Sequence, residues 1–455
     1  MESDIIRDLG DGLVLRRSRP SDVDALPELN GTVFRPREAT GPNPFMATWT
    51  RDLLTLPHPN VKPEDFLLVE EKETGRVISS LVQIPQTWTY AGIPFGVGRP
   101  EMVSTLPEYR NRGLVRALFQ AFHNWSAEQG HHAQAITGIA YFYRQFGYEM
   151  TITLGGGRGG PKTGAPKLKE GESEAFGFRS ATLSDIPFLS ELYDGVVKRS
   201  LVACQRDEAH WRHELIGRSR ESATRGEITI VETAAGEPVG LLMTDAFFHG
   251  TTFRLHGYEL RPGVSYAAVT PSVLRYLVRT GEECFARNAE LYLWRGKARQ
   301  DIEFTTIAFD MGAEHPAYQL VQQAMPKVDK PYAWYIRVPD VAAFLRLVAP
   351  ALEARLAQSA LAGHTGEVKL NFYRTGLQLT FERGKLASVE DWKPGPDEWG
   401  TPSFPDLTFL QLLFGYRTLE ELEHAFPDVG AGDDTSRALL GVLFPKRSSD
   451  VWPVA

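Results

Sequence analysis

An internal repeat constrains this 455-residue chain more than any other feature. Leu15-Arg16, followed by Ser21-Asp22-Val23, Leu26, Glu28 and Leu29, recurs as Phe178-Arg179, followed by Ser184-Asp185-Ile186, Leu189, Glu191 and Leu192, at an offset of 163. Each copy reads as a strand, a Ser-Asp helix start whose side chains can cap free amides, and an apolar stripe at helical spacing. Downstream, Phe66–Glu71, Gly75 and Arg76–Ile84 read as a hairpin, as do Glu227–Glu232, Gly236 and Pro238–Met243, with the two glycines 161 apart. Two related αβ units in tandem are the economical reading.

The length, about three times a domain of roughly 150 residues, leaves room for a third unit. We assign residues 1–154 and 175–331 to the two copies and 332–455 to the remainder. Between the copies, Gly155-Gly156-Gly157-Arg158-Gly159-Gly160-Pro161 and the polar stretch to Glu174 read as a flexible connection, 155–174. The last region follows a different order. Ala333–Val338 reads as a strand, Pro339-Asp340 opens a helix to about Ala360, strands lie near 367–373, 377–382 and 385–390, and helical periodicity returns at Phe404–Ala425 and Thr435–Leu443. The expected fold class is therefore α/β (α+β) throughout.

A net charge of −8 argues against phosphate-backbone binding as the main business and suits a cationic small molecule; no nucleic-acid or membrane partner is expected. Two cysteines, Cys204 and Cys284, are too few for a disulfide framework or a zinc site. The acidic start Met1-Glu2-Ser3-Asp4 does not resemble a secretion signal, and no apolar run approaches 18 residues, so a soluble cytoplasmic protein is expected.

Chemistry concentrates in residues 99–148. Glu101–Thr105 reads as a strand ending at Leu106-Pro107. After it come Arg110, Asn111, Arg112, Gly113, Leu114, Val115 and Arg116, and from Gly113 an apolar helical face runs to Gly130. Strand, basic glycine turn and helix make an anion site: amides at the helix start face the ligand, the dipole favours negative charge, and glycine admits close approach. Beyond the next strand, Gln134–Thr137, lies Phe142-Tyr143-Arg144-Gln145-Phe146-Gly147-Tyr148. Read alone, its aromatic residues are core.

Together the two segments resemble the pyrophosphate loop Gln/Arg-x-x-Gly-x-Gly/Ala and the Phe-Tyr-x-x-x-Gly-Phe segment of the GNAT acetyltransferases. Val115 stands where that family has a small residue. The resemblance implies acetyl-coenzyme A on the 110–116 loop. It implies Tyr143 as the acid that protonates the leaving thiolate. It also implies the backbone of Val103, Ser104 and Thr105 bonding the pantetheine arm like an added strand, with Ile139 and Ala140 along its path.

The second copy lacks this loop. Pro271 to Asn288 is six residues shorter than Pro107 to Gly130, no Arg-x-x-Gly remains near Thr270–Leu274, and no Tyr-x-x-x-Gly follows Leu291–Trp294. An active unit, a degenerate duplicate and a C-terminal part similar to sterol carrier proteins resemble the enhanced intracellular survival (Eis) acetyltransferase family. That likeness implies acetyl transfer to amines, aminoglycosides included, without a metal, in a homohexamer. It further implies the C-terminal carboxylate, here of Ala455 rather than of an aromatic residue, as general base. A terminal carboxylate of pKa about 3.3–3.7 facing an ammonium near 10 requires burial or a water relay for that role. A lipid carrier and a non-catalytic acetyl-coenzyme A-binding scaffold are the alternatives. Elsewhere, His210, His213 and Glu214 read as a solvated helix face rather than a metal site, and His123 as a half-buried satisfied histidine. The acceptor pocket is expected between the domains, built from loops such as 31–60.

Overall fold

The computed structural model describes residues 5–248, 250–288, 303–395 and 400–455. The expected alternation of strands and helices is present in mixed α/β form, with three sheets among the described residues. The first sheet runs Ile5–Gly10, Leu13–Arg17, Phe66–Glu71, Arg76–Tyr90, Ile93–Thr105, Ala133–Ile136, Tyr332–Arg337, Glu149–Leu154. Val202–Cys204 adds to the far end of Arg76–Tyr90. The second sheet runs Lys327–Asp329, Gly157–Pro161, Thr306–Phe309, Thr252–Leu260, Pro238–Asp245, Gly226–Thr233, Phe176–Ser180. A three-stranded meander over 366–392 and the helix Val341–Ala357 form the C-terminal region, whose apolar core is continuous with Trp88, Phe95 and Trp334 of the first sheet.

The repeat reappears as matching ion clusters. Arg16 grips both carboxylate oxygens of Asp22, at 2.7 and 2.8 Å, and also binds Glu70. Arg179 does the same with Asp185, at 2.7 and 2.8 Å, and with Glu232. In each copy the arginine ties the first strand to the helix start and to the hairpin, an arrangement that bidentate guanidinium geometry favours.

Two strands cross between the copies, and this corrects the reading of 155–174 as a flexible connection. Gly157–Pro161 is a strand of the second sheet, between Thr306–Phe309 and Lys327–Asp329. Its glycines are there for close packing. A Cβ at Gly157 would lie 2.1 Å from the Phe309 carbonyl oxygen, and one at Gly160 would lie 2.1 Å from that of Ala324. In return, Tyr332–Arg337, read as the opening strand of the C-terminal unit, inserts into the first sheet between Ala133–Ile136 and Glu149–Leu154. The exchange interlocks the copies.

In the second copy, the helix spans Tyr266–Asn288 and contains Pro271, so Thr270–Leu274 is helix interior rather than the turn before it. The turn is the short segment 261–265. Leu291–Trp294 lies outside the described residues. Among the described residues, no helix is long and apolar enough to cross a membrane.

Candidate active site

The site begins with an irregular strand. Along the antiparallel pair Arg76–Tyr90 and Ile93–Thr105, Ser80 faces Ser104 but Val82 faces Glu101, so the second strand carries one extra residue. Met102, at φ +50°, absorbs it as a bulge that turns the strand. On the other side, parallel pairing with Ala133–Ile136 is confined to Val97 with Ala133 and Gly98 with Gln134. Beyond Gly98 the two strands part, and the backbone edge of 99–105 faces a fork. Val103, Ser104 and Thr105 lie on it, and Ser79 Oγ fixes the segment from behind by donating to the Ser104 carbonyl at 2.7 Å.

At the open end, Asn111 (φ +63°) and Gly113 (φ +76°) turn the chain into the helix Leu114–Glu128. The first-turn amides of that helix have no intrahelical acceptor. Arg110, Arg112 and Arg116 are exposed around this turn. Arg110 Nε reaches the Thr105 carbonyl at 3.4 Å, Arg112 lies 3.4 Å from Asp11, and Arg116 donates to Gln145 Oε1 at 3.1 Å. Leu114 is buried and Val115 packs against the first-domain core, so Val115 directs its extra bulk inward.

At the closed end sits Tyr143, on a short 3-10 turn Phe142–Phe146 bounded by Tyr141 (φ +62°) and Gly147 (φ +85°). Only 5% of it is exposed. Its ring centroid lies 5.8 Å from that of Phe119 and 5.6 Å from that of Tyr335. A Cβ at Gly138, where Ala133–Ile136 ends, would lie 3.7 Å from the phenol oxygen, which places that oxygen by the fork. Among the described residues no protein group hydrogen-bonds it. Burial, reinforced by the charge of Glu101, pushes the phenol well above its ordinary value, so it is protonated at neutral pH. Ile139 and Ala140 are exposed beside it. Tyr335 accepts the Tyr141 amide at 2.6 Å, and its hydroxyl lies 3.3 Å from that of Tyr332.

The segment 448–455 threads between the two copies. The Leu201 amide donates to the Ser448 carbonyl at 2.9 Å and the Asp450 amide to that of Val202 at 3.0 Å. Arg206 lies 3.7 Å over the Trp452 ring and donates to the Trp452 carbonyl at 2.9 Å. Gln86 Nε2 and Arg99 Nη1 donate to the Val454 carbonyl at 2.6 and 3.3 Å. Ala455 is buried in the apolar cluster that contains Tyr143. Arg218 Nε donates to its oxygen at 3.0 Å, and His213 Nε2 lies 3.3 Å away.

His213 and Glu214 are thus not on a solvated helix face; they are 5% and 4% exposed. Burial opposes the charge on Glu214, yet Arg218 and Arg206 hold its carboxyl down at about 2. His210 bonds Asp207 at 2.7 Å and Asn60 at 3.0 Å. His123 is half-buried, with Nε2 3.0 Å from the Tyr148 hydroxyl.

A cavity of about 950 Å³ opens between the copies. Asn43, Phe45, Met46 and Trp49 of the expected 31–60 segment line one side, Tyr332 joins the wall, and residues 449–453 form another side. Among the described residues five carboxylates line it, those of Glu214, Glu227, Asp245, Asp310 and Asp450, against the cations Arg225 and Lys330 and the imidazole of His256. Through its contact with Tyr335, Tyr332 links the cavity wall to the ring packed on Tyr143.

The family model described as an acetyltransferase (GNAT) domain matches residues 14–151, the segment that holds the fork, the basic turn and Tyr143. That segment is a GNAT acetyltransferase domain. The chain is accordingly an acetyl-coenzyme A-dependent N-acetyltransferase. No curated protein matches it in sequence. Solved structures share the fold over nearly the whole chain. A conserved protein from Enterococcus faecalis V583, described as a probable N-acyltransferase, superposes with TM-score 0.66 at 14% identity, covering 97% of this chain and 100% of that one. A GCN5-related N-acetyltransferase from Anabaena variabilis gives 0.62 at 16% identity, with coverage of 97% and 98%. Eis1 from Mycobacterium abscessus gives 0.56 at 15% identity, with coverage of 97% and 99%, in keeping with an Eis-like GNAT architecture.

Both copies carry an acid-sensitive set of buried and half-buried histidines. Burial holds His58 and His123 at about 3 and His131, His213 and His315 at about 4, all below the ordinary 6.5. A histidine with a lowered folded value contributes its full stability above about pH 6.5 and loses it as pH falls toward the folded value. At pH 5 the unfolded chain would carry about 4.5 more protons on these five side chains than the folded chain does. Urea unfolding is expected to show a midpoint falling steeply from pH 7 to pH 5. A flat midpoint over that interval would contradict the buried, neutral assignment.

Proposed function

We propose that the enzyme acetylates an amine of a cationic small molecule, such as a polyamine, an aminoglycoside or a lysine side chain, by direct transfer from acetyl-coenzyme A. The observation that carries this reading is the adjacency of a cofactor fork, closed by a buried protonated phenol, to a large cavity lined by more carboxylates than cations. In the proposed arrangement, Arg110, Asn111, Arg112, Gly113, Leu114, Val115 and Arg116 hold the pyrophosphate by amides and charge. Val103, Ser104 and Thr105 align the pantetheine by backbone hydrogen bonds, and Ile139 and Ala140 cover it.

The amine nitrogen attacks the thioester carbonyl carbon, the C–S bond breaks, and Tyr143 gives its proton to the departing sulfur. The proton lost by nitrogen passes to the Ala455 carboxylate. Its burial favours proton uptake, and Arg218 and His213 orient it; because the Arg218 guanidinium favours the charged form, the proton reaches it from an amine that binds already neutral or through a water relay. Direct transfer is favoured over a covalent acetyl-enzyme because Cys204 and Cys284 are both buried, and burial raises the Cys204 thiol, which keeps it protonated. The test is release of coenzyme A thiol from acetyl-coenzyme A across polyamines, aminoglycosides and lysine peptides.

A further inference from the structure

Resting on that reading, the geometry points to a second cation site in the acceptor cavity. We propose that Asp450 binds an ammonium group of the acceptor other than the one acetylated, so that diamines and longer polycations are selected over monoamines.

Four of the five cavity carboxylates are already committed. Glu214 is gripped by Arg206 and Arg218, and Glu227 has Arg225 at 3.7 Å. Asp245 bonds His256 at 2.6 Å. Asp310 accepts the Gly156 amide at 2.6 Å and has His256 at 3.7 Å. Asp450 differs: among the described residues its carboxylate makes no hydrogen bond or ion pair. The guanidiniums that influence it most, Arg199 and Arg206, are each bound to another carboxylate, Glu259 and Glu214. Asp450 is half-buried in the cavity wall, and its partial desolvation disfavours its charge, so an arriving cation gains by pairing with it.

Its position suits the purpose. The Asp450 amide is fixed to Val202, so the residue is held by its backbone and its side chain is uncommitted. Ala455 lies five positions further on, a span of at most about 18 Å along an extended chain. An acceptor amine at the fork and a second ammonium at Asp450 are therefore within reach of one flexible polyamine. Phe45, Trp49 and Phe247 line the same cavity and suit the hydrocarbon between the two charges.

The experiment compares spermidine with a monoamine of matched length, in turnover and in calorimetric binding, for the wild-type protein, Asp450→Asn and Asp450→Glu. The wild type is expected to prefer spermidine in kcat/KM. Asp450→Asn should cut that preference about tenfold through KM and weaken spermidine binding about tenfold, while Asp450→Glu restores most of both. An Asn variant with wild-type selectivity and affinity overturns the proposal, as does a Glu variant that fails alongside Asn. Binding is read without turnover, so an inert enzyme that still binds spermidine through Asp450 would refute the acetyl-transfer reading and leave this site standing.

Discussion

Tyr143→Phe is expected to lower kcat by about 10²-fold or more, the usual worth of a positioned general acid, with acetyl-coenzyme A affinity changed by less than about threefold. The substitution removes one oxygen and keeps the ring against Phe119 and Tyr335. Because no described protein group bonds that oxygen, the fold loses no hydrogen bond and thermal stability should be unchanged. This separates chemistry from packing: a purely structural Tyr143 would tolerate phenylalanine in both respects. Burial keeps the phenol protonated over the physiological range, so the variant should show the same fractional loss from pH 6 to pH 9. Wild-type turnover in the variant would remove Tyr143 as the proton donor.

Extending the chain by a few residues after Ala455 is expected to depress turnover by about 10²-fold while leaving acetyl-coenzyme A binding intact. Ala455 is only 8% exposed, and Arg218 and His213 surround its oxygen. A following peptide would replace a carboxylate with a neutral carbonyl and require an exit from a packed cluster, displacing Val454 from Gln86 and Arg99. Arg218 would keep Glu214 and the Thr224 carbonyl but lose the terminal carboxylate, so a modest fall in thermal midpoint should accompany the loss of rate. The basic turn 110–116 is built independently of this segment, which is why cofactor affinity is the internal control. Unchanged turnover would exclude Ala455 from the reaction.

What the sequence made legible was local. The strand, basic turn and helix over 101–128 form from contiguous residues, and Asn111 and Gly113 take the positive φ values that such a turn requires. The repeat was readable because its Arg-Asp spacing of six encodes a bidentate pair within each copy, Arg16 with Asp22 and Arg179 with Asp185.

What escaped was non-local. Gly155–Pro161 has the composition of a linker, and only its partners some 150 residues later reveal that Gly157 and Gly160 are small because a carbonyl occupies the space of a side chain. His213 and Glu214 look solvated on their own helix. They are buried because Arg206, Arg218 and the terminal segment converge on them, and an i, i+4 pairing of Glu214 with Arg218 was the one available hint. The acidic cavity draws its carboxylates from Glu214, Glu227, Asp245, Asp310 and Asp450, a set that no single window contains.

The central claim is transfer of acetyl from acetyl-coenzyme A to an amine held in that cavity. Its most direct test is to incubate the wild-type protein with acetyl-coenzyme A and spermidine, measuring free coenzyme A thiol and acetylated amine together. The account predicts amine-dependent thiol release with one acetylated product per thiol, strongly reduced in Tyr143→Phe. Thiol release that is independent of amine, or absent across polyamines, aminoglycosides and lysine peptides, would contradict it.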